Sequence, residues 1–366
     1  MIDRRRLLSS AVAAPLAARS STRAQEPLRI LGWSTLVDEG VINRFREMSG
    51  VDIIVDPVPA LDEIVIRLRG GGASRYSLVM SHHGLAQTLR DHGLIQPIDE
   101  ARIPAIGGVD PHFQLSESIT HNGARYAIPV LFTTCPCIYN ADLLPEPPGA
   151  WIDLDSDEFT GRIGMLDEGL AHFYLGGRAV GSQTAPALSP NDMDATIDLL
   201  TNLKENRVSH FTPFDRDLSA MLRSGKAVIS TTGWEGMTLF EEATGANLQV
   251  AHLAPGDFSV VQTLAVTSQA PMVDAAHQFI EFMLQPDEQA ALSNRTKRGI
   301  VNPGAVDQID ERIRGFTDYA NLDAVFTQSP MLDFPPFAES ADGTATYLDW
   351  IVAWEKIRLT TSNAAP

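Results

Sequence analysis

The sequence predicts an α/β protein of two lobes, each a central, mostly parallel sheet flanked by helices. Three observations carry this expectation. Apolar runs of strand length alternate with amphipathic stretches of about ten residues. The alternation begins at Leu28, lapses in the loop Leu144-Pro145-Glu146-Pro147-Pro148-Gly149, and starts again after Trp151. The length, 366 residues, suits two domains better than one. Strands separated by such helices form right-handed βαβ units, and hence largely parallel sheets.

Each element has its own warrant. Leu28 to Trp33 is a short apolar strand. Val41, Phe45 and Met48 recur at i, i+4 and i+7 on a helix that Gly50 can end. Val51 to Val55 reads as the next strand, and a helix is expected from about Leu61 to Arg69. Gly70-Gly71-Gly72 breaks the chain before a strand at Leu78-Val79-Met80. In the second half, Gly161 to Leu166 reads as a strand. Ser189-Pro190-Asn191-Asp192 caps a helix with Met193, Ile197 and Leu200 on one face. Ala227 to Ser230 is a further strand, and Val273 to Leu284 an amphipathic helix ended by Pro286.

Composition narrows the partners. Apolar residues make up 44% and charged residues 20%, the balance of an ordinary globular chain. Lys and Arg number 28 against 46 Asp and Glu, a formal charge of −18. Nucleic acid is excluded as an expected partner, because its binding needs clustered cations. Residues 1–24 read as an export leader. Asp3-Arg4-Arg5-Arg6-Leu7-Leu8 is followed by a weakly apolar run, Leu7 to Ala18, and then Thr22-Arg23-Ala24. The paired arginines ahead of two leucines resemble the signal of the twin-arginine route, and the run is too short for a spanning helix, which needs about 20 residues. Loss of the leader takes the charge to −22. The expected product is periplasmic. The two cysteines, Cys135 and Cys137, stand at i and i+2. A bridge there would strain the usual Cα separation of ~4.4–6.8 Å, so two packed thiols are expected.

Open parallel sheets bind ligands beyond the carboxyl ends of their strands, and between lobes when two sheets face each other. That gives weight to Trp33-Ser34-Thr35, Ser81-His82-His83 and Asp167-Glu168. The indole of Trp33 can pack flat on a ligand, contributing roughly 0.5–2 kcal/mol if that ligand is a cation; otherwise it covers the sheet end. Trp234 also follows a strand, and two indoles arriving from different halves point to a cleft. His82 and His83 project oppositely if extended, so a polar contact from one of them is expected and a metal site is not. Asp167 and Glu168 have no neighbouring nucleophile or His; they suit a cationic ligand, or else end a solvated loop. Gly-x-Ser-x-Gly, His-Glu-x-x-His and phosphate-loop patterns do not occur. Catalytic residues and cofactors are not expected.

Several landmarks together resemble one family, the periplasmic spermidine/putrescine-binding proteins that serve ABC importers. Trp33-Ser34 matches its Trp-Thr after the first strand. Ser77-Leu78-Val79-Met80-Ser81 and Gly93-Leu94-Ile95-Gln96-Pro97-Ile98-Asp99 are similar to its "DLVxPS … GLLQPID". Tyr126-Ala127-Ile128-Pro129 resembles its crossover segment, and Gly161 to Asp167 its "GKIGMLDD". Ala275 to Leu284 matches a helix reading "AHKFINFLL". The resemblance implies a two-lobed periplasmic binding protein fold of type II. Lobe one would comprise 25–132 and 262–305, lobe two 133–261 and 306–366. It implies a monomer that clamps a small solute and hands it to permease subunits in the inner membrane.

Carried over, the ligand positions are Trp33, Ser34, Ser81 and His83 from lobe one, and Glu168 with Gly233-Trp234 from lobe two, Asp167 or Glu168 supplying charge. The departures bear on specificity. Leu36 and His83 stand where the family has aromatics, Ala171 where it has an acid, and Gln262 where an Asp pairs with a ligand ammonium. An unpaired buried charge costs on the order of 3–5 kcal/mol. The expected solute is therefore small, polar and amine-containing, polyamine-like or another amine or zwitterion, oriented by Ser34, Ser81, His83 and Gln262. A periplasmic enzyme, or a receptor for thiamine or ferric ion, is the alternative. The scattered tyrosines do not favour iron, and Leu36 and Val260 do not supply the aromatics thiamine would want.

Overall fold

In the computed structural model, residues 26–58, 61–114, 116–242, 244–338, 340, 342–361 and 363 are described; the leader read in residues 1–24 lies outside them. The strands in chain order are β1 (Leu28–Gly32), β2 (Ile53–Pro57), β3 (Leu78–His82), β4 (Thr120–His121), β5 (Ala124–Arg125), β6 (Ile128–Thr134), β7 (Cys137–Asn140), β8 (Ile163–Leu166), β9 (Val208–Thr212), β10 (Ile229–Ser230), β11 (Leu248–Ala251), β12 (Ser259–Val266) and β13 (Gly299–Ile300). They form one sheet of order β13-β6-β12-β3-β1-β2, a second of order β11-β7-β10-β8-β9, and the β4–β5 hairpin. In the first sheet only β12 and β13 run against the others, and in the second only β7 does.

Side-chain alternation builds a core on each face of the first sheet. Leu28, Ile30, Leu78 and Met80 enter one cluster, with Phe45 and Phe279. Leu31 and Val79 enter the other, with Ile64 and Leu85. The second sheet does the same, placing Ile163, Met165 and Ile229 in one cluster and Ile138 and Leu166 in another. The helices follow the expected apolar spacing. Glu39–Ser49 buries Val41 and Phe45 and ends at Gly50, whose φ of 74° is left-handed. Ser189 caps Pro190–Asn206 by accepting from the Asp192 N–H. Val273–Met283 ends at Leu284, and Pro286 opens the next helix, Pro286–Thr296, at its first turn.

The chain crosses between the sheets three times. β6 runs through Cys135-Pro136 into β7, and β11 returns through 252–258 into β12. The Cys135 N–H donates to the Phe258 carbonyl (2.8 Å), tying these two crossings together. The third crossing joins them at Ser259, whose N–H donates to the Pro330 carbonyl (2.7 Å) while its own carbonyl accepts from Leu332 N–H (2.8 Å). Helix Tyr347–Arg358 then packs on helix Gly169–Ala179, Trp350 stacking on Phe173 at 5.4 Å. One difference from expectation concerns residues 306–328. Leu322 and Phe326 pack into the first core, Phe326 against Phe113 and Phe132, and the Tyr319 hydroxyl accepts from Ile300 N–H. The apolar face of this segment thus stays with the first sheet, and the crossing falls near Pro330 rather than after 305.

Candidate functional site

The carboxyl ends of β1 and β3 and the facing end of β12 form one wall of a gap between the lobes. Trp33 leaves β1 half-buried, its ring 5.1 Å from His82. His82 ends β3 and pairs in register with Gln262. The ladder between β12 and β6 slips between Gln262 and Thr263, a bulge of the kind that re-aims a side chain. Gln262 is 5% exposed, and its Oε1 is buried without a partner. His83, 1% exposed, opens helix His83–Asp91. Its Nδ1 accepts from the Val261 N–H (3.2 Å), which puts the ring proton on Nε2, 3.8 Å from Asp333. Burial lowers His83 to about 4. Burial, with the charges of His83 and Arg298, lowers His82 to about 3. Both rings are neutral at pH 7, and His82 Nδ1 and His83 Nε2 lack hydrogen-bond partners.

Arg298 completes this wall. It follows Lys297, which takes the left-handed conformation (φ 56°) at the end of helix Pro286–Thr296, and it precedes Gly299, in register with Phe132 of β6. Its carbonyl is held by the Ser293 hydroxyl at 2.6 Å. The guanidinium carbon lies 4.2 Å over the Trp234 ring, and Nε is buried without a partner. Burial lowers its pKa, opposed by Asp215, Cys135, Glu235 and Glu168.

The second lobe supplies the facing wall from the ends of β8, β9 and β10. Trp234 Nε1 donates to Asp215 Oδ2 at 3.1 Å, so the indole is fixed edge-on while Arg298 covers a face. Glu235 is buried and accepts from the Thr133 hydroxyl at 3.0 Å, across to β6. Burial lifts its pKa to about 7. Glu168 caps helix Gly169–Ala179 with its carbonyl, which receives His172 Nδ1–H (2.6 Å). Among the described residues its carboxylate has no hydrogen-bond or ion-pair partner. Burial and the charge of Asp215 lift it to about 7, against the pull of Arg298.

Of the residues expected at the site, Trp33, His83, Glu168, Trp234 and Gln262 converge on this gap. Ser34 lies exposed at its rim, where its carbonyl accepts from Val37 N–H. Ser81 and Asp167 lie elsewhere. Ser81 is fully buried within the sheet, with its hydroxyl 3.4 Å from that of Thr263. Asp167 accepts from Trp354 Nε1 (2.8 Å) and lies 3.3 Å from Arg358 Nε, so it is committed to the last helix. Cys135 and Cys137 are free, buried thiols, raised well above the usual range by burial, and Cys137 contacts the Thr231 carbonyl. Arg298 and Asp215 were not singled out by sequence. Lys297-Arg298 reads as the basic end of a helix and Asp215 as an acid in a helical first turn. A half-hidden signal was Gly299, which lets the chain press against Phe132 immediately after Arg298.

The gap therefore offers two indoles, neutral imidazoles, an amide, a guanidinium and an uncommitted carboxylate, a set suited to holding a small polar molecule. Among the described residues no group of three or more potential ligands is placed to hold a metal ion, and no helix is long and apolar enough to cross a membrane. Residues 40–323 match the family described as bacterial extracellular solute-binding protein. The chain belongs to this family. Its relatives include spermidine/putrescine-binding periplasmic protein 1 of Haemophilus influenzae, 22% identical over 73% of each chain. The spermidine/putrescine ABC transporter substrate-binding protein of Streptococcus pneumoniae has the same fold, with a TM-score of 0.71 at 20% identity over 91% of this chain and 99% of that one. So has a solved GABA receptor, with a TM-score of 0.69 at 17% identity over 91% and 97%. The fold of this solute-binding protein is thus the two-lobed one of periplasmic receptors.

Proposed function

We propose that this solute-binding protein is the periplasmic receptor of an ABC importer and closes its lobes around a small, polar, amine-containing solute. The observation that carries this reading is the convergence of uncommitted polar groups from both lobes on one gap: His82 Nδ1, His83 Nε2 and Gln262 Oε1 on one side, the Glu168 carboxylate on the other. Buried polar atoms are normally hydrogen-bonded, and a solute seated here would satisfy several at once. Trp33 packs on it, Gln262 and His83 orient it, Ser34 joins from the rim, and Glu168 takes the ammonium. The Haemophilus relative is named for spermidine and putrescine and one structural neighbour for GABA; all three compounds carry an amine, which supports the class. The closed complex acts as a monomer on permease subunits of the inner membrane.

The test is a thermal-shift screen over diamines, betaines and amino acids, followed by calorimetric titration of the hits. A solute at one hundred times its dissociation constant stabilises its receptor by about 2.7 kcal/mol, which a melting curve resolves easily. Stabilisation by at least one amine is expected. Sub-micromolar binding of putrescine or spermidine would overturn the role given to Gln262, since an amide cannot neutralise an ammonium. A chromophore or metal co-purifying with the protein would favour an enzyme instead.

A further inference from the structure

Arg298 brings a positive charge into the gap that no described carboxylate pairs with directly, although Asp215, Glu235 and Glu168 act on it from a distance. Buried charges are ordinarily paired, because desolvation is otherwise uncompensated. Here Asp215 gives an oxygen to Trp234 and Glu235 gives one to Thr133. No described carboxylate reaches ion-pair distance of Arg298, and its Nε is buried with nothing to donate to. The side chain is nonetheless held. Its backbone is clamped by Ser293 and its guanidinium lies on the Trp234 face at 4.2 Å, where the ring supports the cation without using its N–H donors. A planar fork of donors held over an indole is shaped for the two oxygens of a carboxylate.

We infer that Arg298 is the anion anchor of the cleft and that the solute is an amino carboxylate, its carboxylate on Arg298 and its ammonium on Glu168. The inference rests on the receptor reading above and narrows it. Arg298 and Glu168 act on each other's charge without forming an ion pair, so a molecule bearing both signs can answer each with its opposite. A diamine would set an ammonium beside the guanidinium with no carboxylate between them. His82 Nδ1, without a partner among the described residues, is free to accept from the ammonium or a hydroxyl in the Nε2–H tautomer.

The experiment titrates the intact protein with α-amino acids, with β-alanine, 4-aminobutyrate and 5-aminovalerate, with putrescine and cadaverine, and with butyrate. Wild type and Arg298→Gln are compared, with Arg298→Lys as the variant that keeps the charge but loses the fork. Binding confined to the amino carboxylates is expected, weakened on the order of a hundredfold or more in Arg298→Gln and less in Arg298→Lys. The unliganded melting temperature of Arg298→Gln should equal or exceed that of wild type, since a partly buried cation without an ion-pair partner is gone. Binding of diamines in preference to amino carboxylates, or amino-carboxylate affinity unchanged in Arg298→Gln, overturns the inference and leaves the receptor reading standing. A melting temperature lowered in Arg298→Gln with affinity retained shows a structural arginine and also overturns it. If no probe of any kind binds, the amine-receptor reading falls with it.

Discussion

Asp167 and Glu168 are adjacent and alike in charge, yet the fold gives them opposite tasks. Asp167 holds the last helix through Trp354 and Arg358, and hydrogen bonds to charged groups contribute about 1.5–3 kcal/mol. Asp167→Ala should therefore lower stability by about 1–3 kcal/mol in denaturant melts, with a smaller effect on solute affinity than Glu168→Gln. Glu168→Gln should do the reverse, weakening solute binding at least roughly tenfold without loss of stability. Equal effects on affinity from both variants would show that the assignment is mistaken. The strand-end position of this pair was legible in the sequence; the division of labour was not, because Trp354 lies 187 positions from Asp167 and nothing local marks it as a partner. Arg298 was illegible for the same reason. A cation at a helix end reads as solvated until the fold lays an indole from the other lobe against it.

At the scale of elements, the lobes meet where helix Gly236–Glu242 of the second faces the end of helix Pro286–Thr296 of the first. A methyl group at Gly236 would lie 2.2 Å from the Trp234 ring and 2.4 Å from the Lys297 carbonyl oxygen. Gly236→Ala is thus a wedge at the lobe contact. Small-angle scattering of the solute-saturated variant should give a larger radius of gyration than wild type, and affinity should fall; opening relieves the contact with Lys297, while the Trp234 ring, in the same lobe, must shift to admit the methyl group. Superimposable scattering curves would sink this account. The helices were the most readable elements, their buried residues falling at helical spacing in Glu39–Ser49 and Val273–Met283. The crossing strands β6 and β12 were read only through the family resemblance. Every residue of both is buried, so the alternation that marks a strand is missing.

Across the whole molecule, the buried ionisable groups fall into two opposing sets. Burial lifts Glu168 and Glu235 to about 7. The folded state holds protons there that the unfolded chain releases from about 4.5 upward, so these two groups reduce stability as pH rises from about 4.5 to about 7. His82, His83 and His172 are lowered to about 3, 4 and 4, chiefly by burial. The unfolded chain takes up protons below about 6.5 and the folded one does not, so their stabilisation is lost as pH falls from about 6.5 toward 4. Urea melts of Glu168→Gln against wild type should show an advantage for the variant that grows from pH 4.5 to 7 and levels off above it; a difference independent of pH would contradict the buried, uncommitted state of Glu168. The threefold crossing of the chain also has a consequence for the order of synthesis. The first core receives Phe279 against Phe45 at 5.1 Å, from a helix that begins at Val273, and the second receives Trp350 from the helix that ends at Arg358. Neither hydrophobic interior can close before its late segment is made, and the second waits for the helix that ends at Arg358. Contacts so distant in sequence are slow to form, so the two half-built sheets stay open together and the lobes are completed side by side rather than one domain after the other.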